Sequence, residues 1–125
     1  MFLDASAIIA IIADEEDGLA LAARLGQAGR VSVSPIVVHE TVAGLARKRA
    51  CPIEAAEELV TLMLDEIPAQ IIEINGAIGR EAIRAFRHKA DLNMGDCFAY
   101  ACARLYDIPL LFKGNDFVHT DIEVA

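Results

Sequence analysis

Apolar residues along this chain switch between two spacings. Short apolar or β-branched runs predict four strands: Phe2-Leu3, Arg30-Val31-Ser32-Val33-Ser34, Gln70-Ile71-Ile72-Glu73-Ile74 and Ile108-Pro109-Leu110-Leu111-Phe112. Between them the apolar positions recur every three or four residues, which predicts helices. The first runs from Ser6 to Ala13 and stops at the polar break Asp14-Glu15-Glu16-Asp17-Gly18; the second carries Leu19, Ala22, Ala23 and Leu25 toward Gly29. Ser34-Pro35 supplies an N-cap and a proline at the first helical position, opening a helix that ends at Arg47-Lys48-Arg49. Pro52 and Pro68 bracket a fourth helix, from Ile53 to about Ile67, and Asn75 caps a fifth from Gly76 to Arg87. After the polar loop His88-Lys89-Ala90-Asp91-Leu92, the last helix spans Gly95 to Tyr106, and Asp121-Ile122-Glu123-Val124 is a candidate edge strand.

Strands alternating with helices imply βαβ units. The expected fold is a single α/β domain over residues 1–125, three layers α/β/α, with a central parallel sheet of four to five strands. Composition agrees. One domain accounts for 125 residues. A hydrophobic fraction of 55% and a mean hydropathy of +0.41 exclude a disordered chain. The charges scattered through every long apolar stretch exclude a bilayer-spanning helix, so no membrane association is expected. The surplus of apolar residues points to burial against a partner. Cys51, Cys97 and Cys102 have neither CxxC spacing nor a nearby histidine and read as reduced thiols. Met1-Phe2-Leu3-Asp4 enters structure without a charged-then-apolar leader, so the expected location is cytoplasmic.

Charge complicates the picture. Eleven Lys and Arg against 19 Asp and Glu leave a net charge of −8, whereas a simple nucleic-acid binder is basic. The acids themselves resolve this. In open parallel sheets ligands bind beyond the carboxyl ends of the strands. Asp4 ends the first strand, Asp116 follows the fourth within a few residues, and Asp96 opens a helix after a loop. Glu40 lies within a helix, with Ile36, Val37, Ala43 and Gly44 one turn away on its own face, a costly place for a lone carboxylate. Singly, each has a plain structural account: Asp4 as a helix cap, Asn93 and Asp96 as a capping box, Asp116 as a turn acid. All four at one sheet edge is a different matter. Carboxylates about 4 Å apart repel by roughly 4 kcal/mol at an effective dielectric near 20. A divalent cation turns that repulsion into coordination, and an all-oxygen donor set suits Mg²⁺ or Mn²⁺ rather than Zn²⁺. Such a centre fits phosphodiester hydrolysis. Substrate phosphates are then left to the basic clusters Arg47-Lys48-Arg49 and Arg84, Arg87, His88 and Lys89.

With the acids in line, the chain resembles the PIN-domain ribonucleases, and among them the VapC toxins of type II toxin–antitoxin systems. The resemblance covers nearly the whole length. It is carried by Leu3-Asp4-Ala5-Ser6, by Ser34-Pro35 leading to His39-Glu40, by Leu92-Asn93-x-Gly95-Asp96-Cys97-x-Ala99, and by Phe112-Lys113-Gly114-Asn115-Asp116-Phe117-x-x-Thr120-Asp121. It implies a metal-dependent endoribonuclease that cleaves RNA, forms a homodimer or higher assembly, and is inhibited by a small antitoxin protein. Asp4, Glu40, Asp96 and Asp116 fall on the family's acidic positions, Ser6 on its small hydroxyl position, Asn93 on a polar position beside the third acid, and Asp121 on a fifth acid found in some members. The competing reading is a receiver-like phosphoacceptor signalling domain, which shares the length, the acidic pocket and a lysine after a late strand, here Lys113. Receivers, however, want an acidic pair after the first strand and an acceptor aspartate ending the third, where this chain has Ala5-Ser6 and Asn75.

Overall fold

The computed structural model describes residues 1–87 and 91–125. Four short strands, β1 (Phe2–Leu3), β2 (Ser32–Val33), β3 (Gln70–Ile71) and β4 (Leu110–Leu111), form one sheet in the order β3-β2-β1-β4. Every pairing is parallel, with Phe2 opposite Ser32 and Leu110, Leu3 opposite Leu111, and Val33 opposite Ile71. Among the described residues six α-helices accompany them: α1 (Ala5–Ile12), α2 (Gly18–Gly26), α3 (Pro35–Arg49), α4 (Ile53–Glu66), α5 (Gly76–Arg84) and α6 (Met94–Tyr106). The result is the three-layer α/β/α arrangement that the alternation predicts, with α1 packed on α2 and α3, α3 on α4, and α5 on α6.

The ladders are shorter than the sequence runs. Asp4 caps α1 immediately after Leu3, so the central strand has two residues to offer its neighbours. The tail contributes a single parallel bridge, Val124 to Leu110, fixed by hydrogen bonds from Leu110 N to Glu123 O and from Ala125 N to Leu110 O (2.8 and 2.9 Å). The fifth helix also ends early. Its last turn, Ala85–Arg87, tightens to a 3₁₀ helix. His88 and Lys89, assigned above to phosphate binding, lie outside the described residues.

The core is built on β1 and the two strands that flank it. Phe2, Leu3, Leu110, Leu111 and Val33 are fully buried, and Ile8, Leu45, Val60, Ile78 and Tyr100 bury against them from the helices. Burial of this kind stabilises by about 25 cal/mol per Å² of apolar surface. The strand order also sets aside the receiver-like alternative. That fold has the order 2-1-3-4-5, with β1 between β2 and β3; here β1 lies between β2 and β4, and β3 is the edge. The carboxyl ends of β1 and β4 therefore lie side by side, and the acids gather there.

Candidate active site

Asp4 is fixed from both directions. Its Oδ2 accepts the Ser6 N–H (3.0 Å), capping α1, and the Ser6 hydroxyl (2.5 Å). Ser6 Oγ in turn accepts the N–H of Lys113 (3.0 Å), so one hydroxyl ties the exit of β1 to the exit of β4. Asp4 Oδ1 is buried and has no hydrogen-bond donor among the described residues. An orphaned carboxylate oxygen in the interior is costly. Burial accordingly holds the Asp4 carboxyl above its ordinary range, opposed by the Ser6 hydrogen bonds and reinforced by the charge of Asp116.

Asp96 is held by a capping box at the start of α6. Asn93 Oδ1 accepts the Asp96 N–H (2.9 Å), and Asp96 Oδ2 accepts the Asn93 N–H (3.0 Å). The cap and the acidic site are thus one feature: capping occupies one oxygen and aims the other. Asp96 is buried, and desolvation together with the charges of Asp4 and Asp116 pushes its pKa to about 6.

Glu40 enters from α3, which starts where β2 ends, with Ser34 Oγ accepting the Val37 N–H (3.2 Å). Its carboxylate lies over the first turn of α6. A Cβ on Gly95 would fall 1.8 Å from Glu40 Oε2, so no side chain at position 95 is compatible with this placement. Desolvation, then Asp4, then Asp96 raise the Glu40 pKa, and Arg47 counters them. Asp116 sits in the exposed turn after β4, where Gly114 takes a φ of +90°, and its charge is felt by both Asp4 and Asp96.

The structure thus brings Asp4, Glu40, Asp96 and Asp116 into one electrostatic neighbourhood. Among the described residues no three acids, histidines or cysteines close on a single point as a finished coordination sphere. The donors nonetheless suit a hard divalent ion. They are all carboxylate oxygens, one is orphaned, and three carry pKa values raised by burial and by one another. Asp121 is placed elsewhere: its Oδ1 accepts the Tyr100 hydroxyl (2.7 Å), and its Oδ2 pairs with Arg104 (3.2 Å), anchoring the segment that follows Asp116.

The raised acids predict a pH dependence. Between about pH 4 and about pH 6 the folded chain retains the Asp96 proton that the unfolded chain has released. Stability without metal therefore falls as pH rises through that window. Thermal melts of wild type and Asp96→Asn across it are expected to show a shallower decline in the variant; identical slopes would contradict the shift.

Most of the basic residues named from sequence are engaged elsewhere. Lys48 and Lys113 both pair with Glu15. Arg49 donates to the Ile12 carbonyl (2.6 Å), and Arg84 and Arg87 flank buried Glu81 (3.2 and 3.7 Å). Sequence reasoning misses Glu15 as the tie between three segments. It reads the acidic run Asp14–Asp17 as a polar break, and both of Glu15's lysines are distant along the chain. Gly95, too, figures in the sequence only as a helix start and a motif letter.

Comparison with known proteins places the chain in a family context. The family model for the PIN domain matches residues 1–123. The chain is 37% identical over 139 aligned positions to a VapC ribonuclease of Rhizobium meliloti (strain 1021), covering 97% of this chain and 98% of the relative. Its fold is similar to the crystal structure of Mycobacterium tuberculosis VapC20, a Sarcin-Ricin loop cleaving toxin (TM-score 0.82, 19% identity, 99% and 97% of the two chains). It is also similar to a toxin–antitoxin complex from Klebsiella pneumoniae (TM-score 0.73, 21% identity, 99% and 95%).

Proposed function

Because this chain belongs to the PIN-domain family, and within it to the VapC ribonucleases of toxin–antitoxin systems, we propose that its four coupled acids form a Mg²⁺- or Mn²⁺-dependent endoribonuclease centre that hydrolyses RNA phosphodiester bonds. The observation that carries this reading is the buried, donorless Oδ1 of Asp4 among carboxylates that raise one another's pKa. In this reading Asp4 and Asp96 hold the ion directly, and Glu40 and Asp116 complete the donor set. Such an ion, when bound, would supply Lewis-acid chemistry for water activation and would offset charge on the phosphoryl oxygens. The remaining residues orient these donors. Ser6 fixes Asp4 through Oδ2, which leaves Oδ1 for the ion, and Asn93 does the same for Asp96. Asp121, through Tyr100 and Arg104, steadies the loop that carries Asp116. The purified chain, freed of any antitoxin, is expected to cut a labelled RNA in Mn²⁺ and to stop in EDTA. Cleavage indifferent to chelation would overturn the metal assignment.

The same reading includes a single cytoplasmic domain, a small antitoxin protein as inhibitor, and a homodimer or higher assembly. Among the described residues no helix is long and apolar enough to cross a membrane. Support for the dimer comes from what the core leaves uncovered. On α3 and α4, Val37, Leu45, Ala46, Val60 and Leu64 are consumed by the chain's own interior. Leu59 and Leu62, one turn apart on α4, stay exposed, with Leu62 at 59%. A patch of this kind marks an interface. Light scattering is expected to give a dimer for the wild type and a monomer for Leu62→Glu. A wild-type monomer at high concentration would contradict it.

A further inference from the structure

An acidic protein that holds a polyanion has few cations to spend, and their positions decide how the strand lies. The lysines and arginines already described are bound to Glu15, Glu81, Asp121 or a backbone carbonyl. Arg24 closes α2 and Arg30 precedes β2, which places both toward the amino edge of the sheet, away from the acids. Arg80 folds back on Gly76 in the first turns of α5, and its charge is not among those that shift the site acids.

Arg47 is different. Glu40, Gly44 and Arg47 stand at i, i+4 and i+7, one face of α3. Helical side chains lean toward the N-terminus, so Arg47 leans back toward Glu40. Gly44 leaves its path open: a Cβ there would stand 3.9 Å from Arg47 Nη2 and 2.6 Å from the Ile9 methyl. Arg47 is an exposed residue, and its guanidinium has no ion pair within 4.0 Å among the described residues. Its charge nevertheless reaches Glu40, and among the described cations no other acts on any of the site acids whose shifts are resolved.

We propose that Arg47 is a substrate-positioning residue that holds a phosphate of the bound RNA strand next to the one being cleaved. This rests on the ribonuclease reading above. A guanidinium presents a planar fork of donors that matches a phosphate oxygen pair, which an ammonium does not. With one such contact beside the site, the strand is held by few phosphates, and its binding depends only weakly on salt. Each phosphate contact on a single strand contributes about −0.7 to the slope of log affinity against log salt.

The test uses the full chain and a fluorescein-labelled, mixed-sequence single-stranded oligoribonucleotide. Arg47→Ala is expected to raise KM by about tenfold, the scale of one charge-assisted hydrogen bond, with kcat little changed. In the cleavage-inactive Asp4→Asn background, Arg47→Ala is expected to reduce the salt slope by about 0.7. Arg47→Lys is expected to restore the slope but only part of the KM, because it keeps the charge and loses the fork. An unchanged KM and slope would overturn the proposal. So would a fall in kcat at constant KM, which would assign Arg47 to Glu40 rather than to the substrate. Failure of wild type to cleave any RNA would instead defeat the ribonuclease reading itself, so the two failures are distinguishable.

Discussion

Asp4→Asn is expected to reduce RNA cleavage by on the order of a thousandfold while leaving the chain folded and, without metal, more heat-resistant. Asparagine keeps an oxygen to accept the Ser6 N–H and hydroxyl and is itself a good N-cap, so α1 retains its start. What disappears is a buried negative charge whose second oxygen has no donor. Because burial disfavours the ionised form of Asp4, removing that charge relieves the fold once the pH exceeds the ordinary carboxylate range, where the unfolded chain has already released the proton. Activity and stability therefore move in opposite directions, the pattern expected of a residue kept for chemistry rather than for folding. A melting curve and a gel assay on the same sample decide it. Cleavage at the wild-type rate would remove Asp4 from the centre. A large loss of stability would mean that Asp4 serves chiefly as a cap.

Gly95→Ala is the second large effect. Within a helix, alanine is favoured over glycine by up to about 1 kcal/mol, and α6 is regular here, so the variant should fold at least as well. Its methyl, however, claims the space of the Glu40 carboxylate, at 1.8 Å from Oε2. Glu40 must swing away, and displacement of a catalytic group by an ångström or so costs on the order of a hundredfold. Cleavage should therefore fall by that amount while helicity is retained. If the loss runs through Glu40, Gly95→Ala added to Glu40→Gln should cost little more. Full additivity of the two losses would show that Gly95 acts by another route.

Much of this site is legible in the amino-acid sequence alone, for a specific reason. Asp4, Ser34-Pro35, Asn75 and Asn93-x-x-Asp96 are local signals, in which each residue acts on backbone groups within three positions of itself. The same caps that start the helices aim two of the acids, so reading the caps also locates the site. What the sequence hides is everything non-local. Arg47, Lys48 and Arg49 are neighbours in sequence, yet they project about 100° apart around the helix. Only the fold sorts them into one cation beside Glu40, one partner for Glu15 and one donor to Ile12. Glu15 joins Lys48 to Lys113 across most of the chain, and no spacing rule connects them. The apolar runs overstate the strands because parallel partners set a ladder's length, and β1 turns into α1 after two residues.

The claim beneath all of this is that four carboxylates from separate parts of the chain act as one cation-binding centre. Calorimetric titration of Mn²⁺ into wild type and Asp4→Asn at neutral pH, after removal of bound metal, tests it directly. Saturable binding to the wild type that disappears in the variant is the predicted result. Equal binding to both, or none to either, would contradict it.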